Sequence, residues 1–266
     1  MMKRSDRMVT GWIVLLALLW LWGCGPTEEE KASARLRMAR VILQGGDTTA
    51  ALLHLDSVLM WHPKAAVSGN AATNLRREIH WDIYQRKQLA LDSARARIAR
   101  LERSFVLTQG EFERTPRYVH QRQIPEENLS RSYLRADVTP AGEVVLTSQY
   151  YGSGRLAHQR IRVWEGEQEA FTDTVPLESA DVYHGSFLGT TWERVTFRSG
   201  REDGMAPFIV AHAGKRLKMA FLGKGSQYVI FLEERDIKAI GEAVELAAAL
   251  REEKKLTMEI SRLHIR

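Results

Sequence analysis

The sequence predicts an α+β protein in which an N-terminal helical hairpin and a long amphipathic helix precede an antiparallel β-sandwich or small barrel, followed by a long C-terminal helix. Three observations predict it. Apolar residues recur at three- and four-residue spacing from Ala32 to Phe105. From Tyr133 to Leu232 the pattern becomes short alternating runs separated by glycine turns. Helical spacing then returns from Glu233. The expected boundaries are a leader over 1–23, a tether over 24–31, a helical region over 32–106, a connector over 107–132, a β domain over 133–232 and a helix over 233–266.

The helical region opens with Ser33, Leu36, Ala39 and Leu43 on one face, and Gly45-Gly46-Asp47 breaks it. Ala51, Leu52, Leu55, Val58 and Leu59 mark a second apolar face that ends at His62-Pro63. Small residues at 39 and 51 let two helix backbones approach closely, and the glycines permit a tight reversal. In a frame starting at Ala32, Ala39, Gly46, Ala51, Leu55 and Pro63 fall on the small, turn, packing and terminating positions of a tetratricopeptide repeat, which the segment resembles. Arg35 and Ile42 stand where that motif often has Trp and Tyr. One repeat cannot bury its own face, so the next helix is expected to cap the hairpin.

That helix runs over 71–105, free of Gly and Pro, with Leu75, Ile79, Ile83, Ala90, Ala94, Ile98, Leu101 and Phe105 in a stripe. A strict heptad fails, because the register through Leu75 and Ile79 next meets Asp82 and Arg86. Gly110, Pro116 and Pro125 mark the connector. Expected strands are Leu134–Val138, Glu143–Tyr150, His158–Trp164, Arg194–Phe197, Phe208–Ala213, Leu217–Phe221 and Tyr228–Leu232. About seven short strands in ~100 residues suggest a sandwich or barrel. The two long helices are expected to pair antiparallel, hiding both stripes, while 256–265 reads equally as a terminal strand.

The leader carries Lys3, Arg4 and Arg7 ahead of eleven residues without a polar side chain, Trp12 to Trp22. A membrane-spanning helix needs ~20 apolar residues, whereas eleven suits a signal-peptide core. Leu21-Trp22-Gly23-Cys24 resembles the lipobox of bacterial lipoproteins, although Trp22 departs from the small or β-branched residue usual there. The resemblance implies cleavage between Gly23 and Cys24 and acylation of Cys24, the only cysteine in the chain. Two or more acyl chains anchor stably. Gly25, where an inner-membrane retention signal usually has Asp, implies the outer membrane. Glu28-Glu29-Glu30 resembles the acidic export signals of Bacteroidetes lipoproteins, and it equally suits a first helical turn.

Composition excludes several functions. Without Lys3, Arg4, Arg7 and Asp6, 35 basic residues face 32 acidic ones, so the pI of 9.4 overstates the basic character. Charges alternate rather than cluster, and a nucleic-acid partner needs a clustered basic face. The histidines lack HxH or HxxxH spacing, and no metal is expected; Asp181 and His184 alone fall close enough to share a loop site. No GxSxG turn, glycine phosphate loop or identifiable carboxylate pair is present, so no catalytic residue is assigned. Gly152-Ser153-Gly154 reads as a hairpin turn.

Two surfaces remain as candidates. Tyr183 and Trp192, in a segment that reads as loop, are a candidate platform for a glycan or peptide. Leu52, Leu55, Ile83 and Ile98 are candidate partner-binding residues on the helices, for another protein or for a second copy. The expected function is that of a non-enzymatic, membrane-anchored interaction or scaffold protein of the cell envelope. Its only cofactor-like group is the lipid on Cys24.

Overall fold

The computed structural model describes residues 26–110 and 115–264. The leader, Gly23 and Cys24 lie outside the described residues. The chain divides into two compact units, one up to Arg86 and one from Lys87 onward.

The first unit is helical. Helix α1 (Glu28–Gln44) starts on a capping box: Thr27 accepts from the Glu30 amide and the Glu30 carboxylate from the Thr27 amide. The acidic run is therefore a first helical turn, and the expected tether is shorter by four residues. Asp47 caps helix α2 (Thr48–Trp61) after the glycine turn. Helix α3 (Ala66–Leu101) follows Pro63, beginning five residues earlier than the spacing predicts. Ala32, Leu36 and Ala39 of α1, Leu55 and Val58 of α2, and Ala72 and Ile79 of α3 form one core. Ala39 and Ala51 are fully buried, the close approach expected of small residues at these positions.

Among the described residues, the second unit holds ten strands in two antiparallel sheets. The six-stranded sheet has the order β1 (Phe105–Thr108), β2 (Arg117–His120), β3 (Tyr133–Val138), β4 (Val144–Gly152), β8 (Thr190–Phe197), β7 (Val182–Phe187). The four-stranded sheet has the order β10 (Gln227–Phe231), β9 (Lys218–Leu222), β5 (Arg160–Glu165), β6 (Gln168–Phe171). Alternation decides which face is which. Leu134, Leu146, Val195 and Phe197 from the larger sheet share a core with Ile161, Val163, Met219 and Phe221 from the smaller one. Helix α4 (Met205–Ala211) adds Met205 and Ile209, and helix α5 (Glu234–His264) adds Ile237, Ile240, Ala243 and Leu246.

The two long helices pair as the stripes predict. Lys87–Glu259, Arg95–Glu253, Arg97–Glu252 and Arg100–Glu245 ion pairs descend one helix as they climb the other, which fixes an antiparallel register. Helix α5 continues to His264, so residues 256–264 are helical rather than a terminal strand.

Four expectations need correction. Phe208–Ala213 is not a strand: residues 205–211 are helical, with Gly204 at φ +71° leading in and Pro207 in the first turn, where its missing N–H costs no helical bond. Burial of Met205 and Ile209, four apart, overrides the local β preference. The expected connector carries β2, and β1 straddles its start, so Phe105 stands on a strand rather than on the helix stripe; both strands are four residues long and too short to show alternation. Gly152-Ser153-Gly154 is not a hairpin turn but the crossing from the six-stranded to the four-stranded sheet, since β4 and β5 are not neighbours. Tyr183 and Trp192 stand on strands rather than in a loop.

One edge is closed by a side chain. Strands β2 and β3 pair only at Tyr118–Val138. Beyond that point the buried Gln123 amide donates to the Leu134 carbonyl and accepts from the Ala136 N–H, taking the place of a neighbouring strand. Its second proton goes to Asp236, which also receives two bonds from Arg131 at 2.6 and 2.8 Å.

Candidate functional site

The outer face of the six-stranded sheet collects the polar and aromatic side chains that the core rejects. Tyr183 and Gly185 of β7 lie opposite Arg194 and Trp192 of β8, and Trp192 lies opposite Tyr151 of β4. Tyr151 and Trp192 meet at 5.8 Å between ring centroids. The Tyr183 ring extends across Gly185: a Cβ there would stand 2.9 Å from its hydroxyl. Arg194 stacks on Tyr183 at 4.6 Å, and the Trp192 indole N–H is held by the Leu129 carbonyl at 2.9 Å. The result is an aromatic strip of three rings with one guanidinium. Tyr183 is 53% exposed, and Trp192 is half-buried.

The strip runs out to an open edge. Strand β7 is the last in its sheet, and its far side has no strand partner among the described residues. Phe187 at its end is 67% exposed and Leu188 in the following turn 87%. No charged residue, proline or lysine interrupts Val182–Phe187, although these are the residues that usually blunt an edge.

Toward the other edge the same face becomes polar. A cavity of about 370 Å³ is lined by Arg117, Glu126, Arg135, Asp137 and Arg194. Asp137 is buried, with Arg135 Nε at 2.9 Å and Arg117 at 3.8 Å. Two guanidiniums around one carboxylate satisfy a charge that would otherwise be costly to bury.

The inner face holds a cluster that sequence reasoning missed. Ser148 of β4, His158 and Glu193 of β8 form a line: Ser148 Oγ lies 2.8 Å from His158 Nε2, and His158 Nδ1 lies 3.0 Å from Glu193 Oε2. The carboxylate also accepts the amides of Leu156, Ala157 and His158 at 2.7, 2.8 and 3.0 Å. Burial alone would raise the Glu193 pKa, but the His158 ring and the amides outweigh it and bring it down to about 2. An ionised Glu193 only accepts, so Nδ1 donates in that contact, and Nε2 faces the Ser148 hydroxyl, which also lies 3.5 Å from the Val195 carbonyl.

By atoms this is a hydroxyl, a base and an orienting carboxylate, the order of a nucleophile triad. Its placement is reversed. A small pocket of about 80 Å³ beside Tyr183 and His184 reaches His158 and Glu193, while Ser148 lies behind them, fully buried. A substrate arriving there meets the carboxylate end first. The cluster fastens residues 156–158 of the crossing segment to the six-stranded sheet. No spacing signal reveals it, because its members come from two strands and a loop.

The remaining candidates resolve individually. Asp181 pairs with Arg198 at 2.5 Å and Arg201 at 3.6 Å rather than with His184. Among the described residues, no three His, Cys, Asp or Glu side chains stand close enough to hold a metal. The helical candidates are corrected: Leu55 and Ile98 are buried in the cores of their own units, and Leu52 and Ile83 pack half-buried against the first core. A stripe at helical spacing finds a core before it finds a partner. Compared with protein-family models, curated proteins and solved structures, the chain matches none.

Proposed function

We propose that the protein is a lipid-anchored lipoprotein of the bacterial envelope, held on Cys24 at the outer membrane, that works without catalysis by binding another polypeptide through strand β7. The observation that carries this reading is the open edge of β7 with Tyr183, Phe187 and Leu188 exposed along it. An extended segment adds to such an edge through main-chain hydrogen bonds, and alternate side chains give specificity. The aromatic strip of Tyr151, Trp192 and Tyr183 continues that surface inward and favours a second reading, a glycan stacked on the rings.

The two readings part experimentally. A photo-crosslinking amino acid at position 187, in intact envelopes, is expected to yield a discrete protein adduct that disappears with Tyr183→Asp. A chain whose partners survive both Tyr183→Asp and Phe187→Asp refutes the edge as a binding surface. Loss of binding to isolated envelope glycan with Trp192→Ala, with no adduct at 187, selects the glycan. The anchor is tested separately: Cys24→Ala is expected to abolish lipid labelling and leave uncleaved precursor.

A further inference from the structure

Cys24 stands close in sequence to the helical unit. Cys24 is three residues from the helix cap Thr27, and an extended chain spans at most ~3.6 Å per residue. An acylated Cys24 therefore keeps the start of α1 within roughly 11 Å of the lipid-bearing residue. Two contacts fasten that start to the opposite ends of its neighbours. The Glu28 carboxylate lies 2.8 Å from His62 Nδ1, just past α2, and Glu29 accepts from both the amide and the hydroxyl of Ser68, in the first turn of α3. The end of α2, the turn through Pro63 and Lys64, and the start of α3 thus lie beside the point where the tether leaves.

This corner leaves three large apolar side chains bare, as the unit also does singly at Leu53 and Trp81. Met60 and Val67 are each 75% exposed, and Trp61 is 58% exposed with Arg35 stacked on it at 4.2 Å. Single exposed apolar residues need no explanation. Three within eight positions, at the one end tied to the anchor, form a patch. Lys64 is exposed among them. The nearby acids are already engaged, Glu28 by His62 and Lys31, Glu29 by Ser68, and Glu30 by the capping box.

We infer that this corner, Met60, Trp61 and Val67 with Lys64, is a membrane-docking surface that rests in the headgroup region of the bilayer holding the anchor. The inference rests on the lipid-anchor reading. Its chemistry is that of an interfacial contact: apolar side chains enter the acyl boundary, an indole sits at headgroup level, and a lysine meets lipid phosphate. The anchor supplies proximity, so the patch need not bind lipid strongly by itself.

Because Cys24 is the only cysteine, its acylation leaves an introduced cysteine as the single free thiol. The full chain, matured in cells and purified with its anchor, carries Met60→Cys or Val67→Cys and an environment-sensitive fluorophore. It is reconstituted into phosphatidylethanolamine–phosphatidylglycerol vesicles containing brominated lipid. Val41→Cys serves as control, 62% exposed and about 20 Å along α1 from Glu28 at 1.5 Å per residue. Vesicle flotation and the mass of the Cys24 peptide report the anchor independently.

Blue-shifted emission with at least twofold quenching at 60 and 67, and none at 41, is the expected result. Equal response at all three sites, or none, in chains shown to be acylated overturns the docking surface and leaves the anchor standing. An unmodified Cys24 overturns the anchor, and the inference falls with it.

Discussion

His158 Nδ1 lies 3.0 Å from Glu193 Oε2, with both residues buried, and this pair holds the crossing between the two sheets in place. Glu193→Gln puts an NH₂ where two donors, the His158 ring and its amide, already point. Stranding buried donors costs about 1–3 kcal/mol each. We expect the variant to lose about 3 kcal/mol in urea unfolding; a loss below 1 kcal/mol would show that the cluster is not a clamp.

The same pair sets an acid limit. A carboxylate depressed when folded contributes stability that is complete above its unfolded value of 4.5 and fades as pH falls toward about 2. The expected contribution is about 3 kcal/mol at neutral pH. Unfolding free energy should fall steeply between pH 4.5 and 2 in the parent chain and more gently in Glu193→Gln. Parallel pH profiles in the two chains would contradict the assignment.

Gly142 lies against helix α5. Its φ is +80°, and a Cβ there would stand 2.7 Å from the Ala247 carbonyl oxygen. Gly142→Ala combines a left-handed backbone with a collision against helical main chain, which has little room to yield. A loss of about 2 kcal/mol is expected from the strain alone. Amide exchange around 142 and 247 should accelerate, and unchanged exchange would refute the contact.

Gln123 stands in for a strand beside β3. Gln123→Ala removes the partners of the Leu134 carbonyl and the Ala136 amide together, and one of two donors to Asp236 Oδ1, which keeps Arg131. Water reaching the edge recovers part of the loss, so about 2–4 kcal/mol is expected from these unpaired groups. Gln123→Glu, which keeps one acceptor, should restore only the Ala136 protection in hydrogen exchange.

The ion pairs between α3 and α5 fix register more than stability. Arg95 and Arg100 are more than half exposed, and such pairs contribute about 0–1 kcal/mol. Arg95→Ala with Arg100→Ala should shift the urea midpoint little at any salt concentration. A loss above 2 kcal/mol would mean that the ladder carries the helix packing.

How much was legible depended on whether the signal was local. The α1–α2 hairpin could be read because Ala39, Gly46 and Ala51 carry its geometry in their own side chains, and β5 because Ile161 and Val163 alternate with Arg160 and Arg162. Helix α4 was not, since Phe208-Ile209-Val210 favours a strand and only the shared core around Met205 and Ile209 reverses the preference. Of the site, Tyr183 and Trp192 were visible as aromatics, but their union across Gly185 needed strand register. Ser148, His158 and Glu193 were invisible, because a cluster drawn from distant segments leaves no spacing. Leu55 and Ile98 misled for the opposite reason: apolar periodicity states that a face is covered, not by what.

The crossing segment also holds one residue in an unfavoured backbone conformation. Ala157 has a φ of +52°, a conformation glycine adopts freely and alanine resists. Its amide, with those on either side, is gathered by the Glu193 carboxylate, so the left-handed turn is encoded 36 residues away from where it occurs. Positions 157 and 193 are therefore physically coupled. A lineage that loses the acid should be found with glycine at 157, and Ala157→Gly should partly rescue Glu193→Gln.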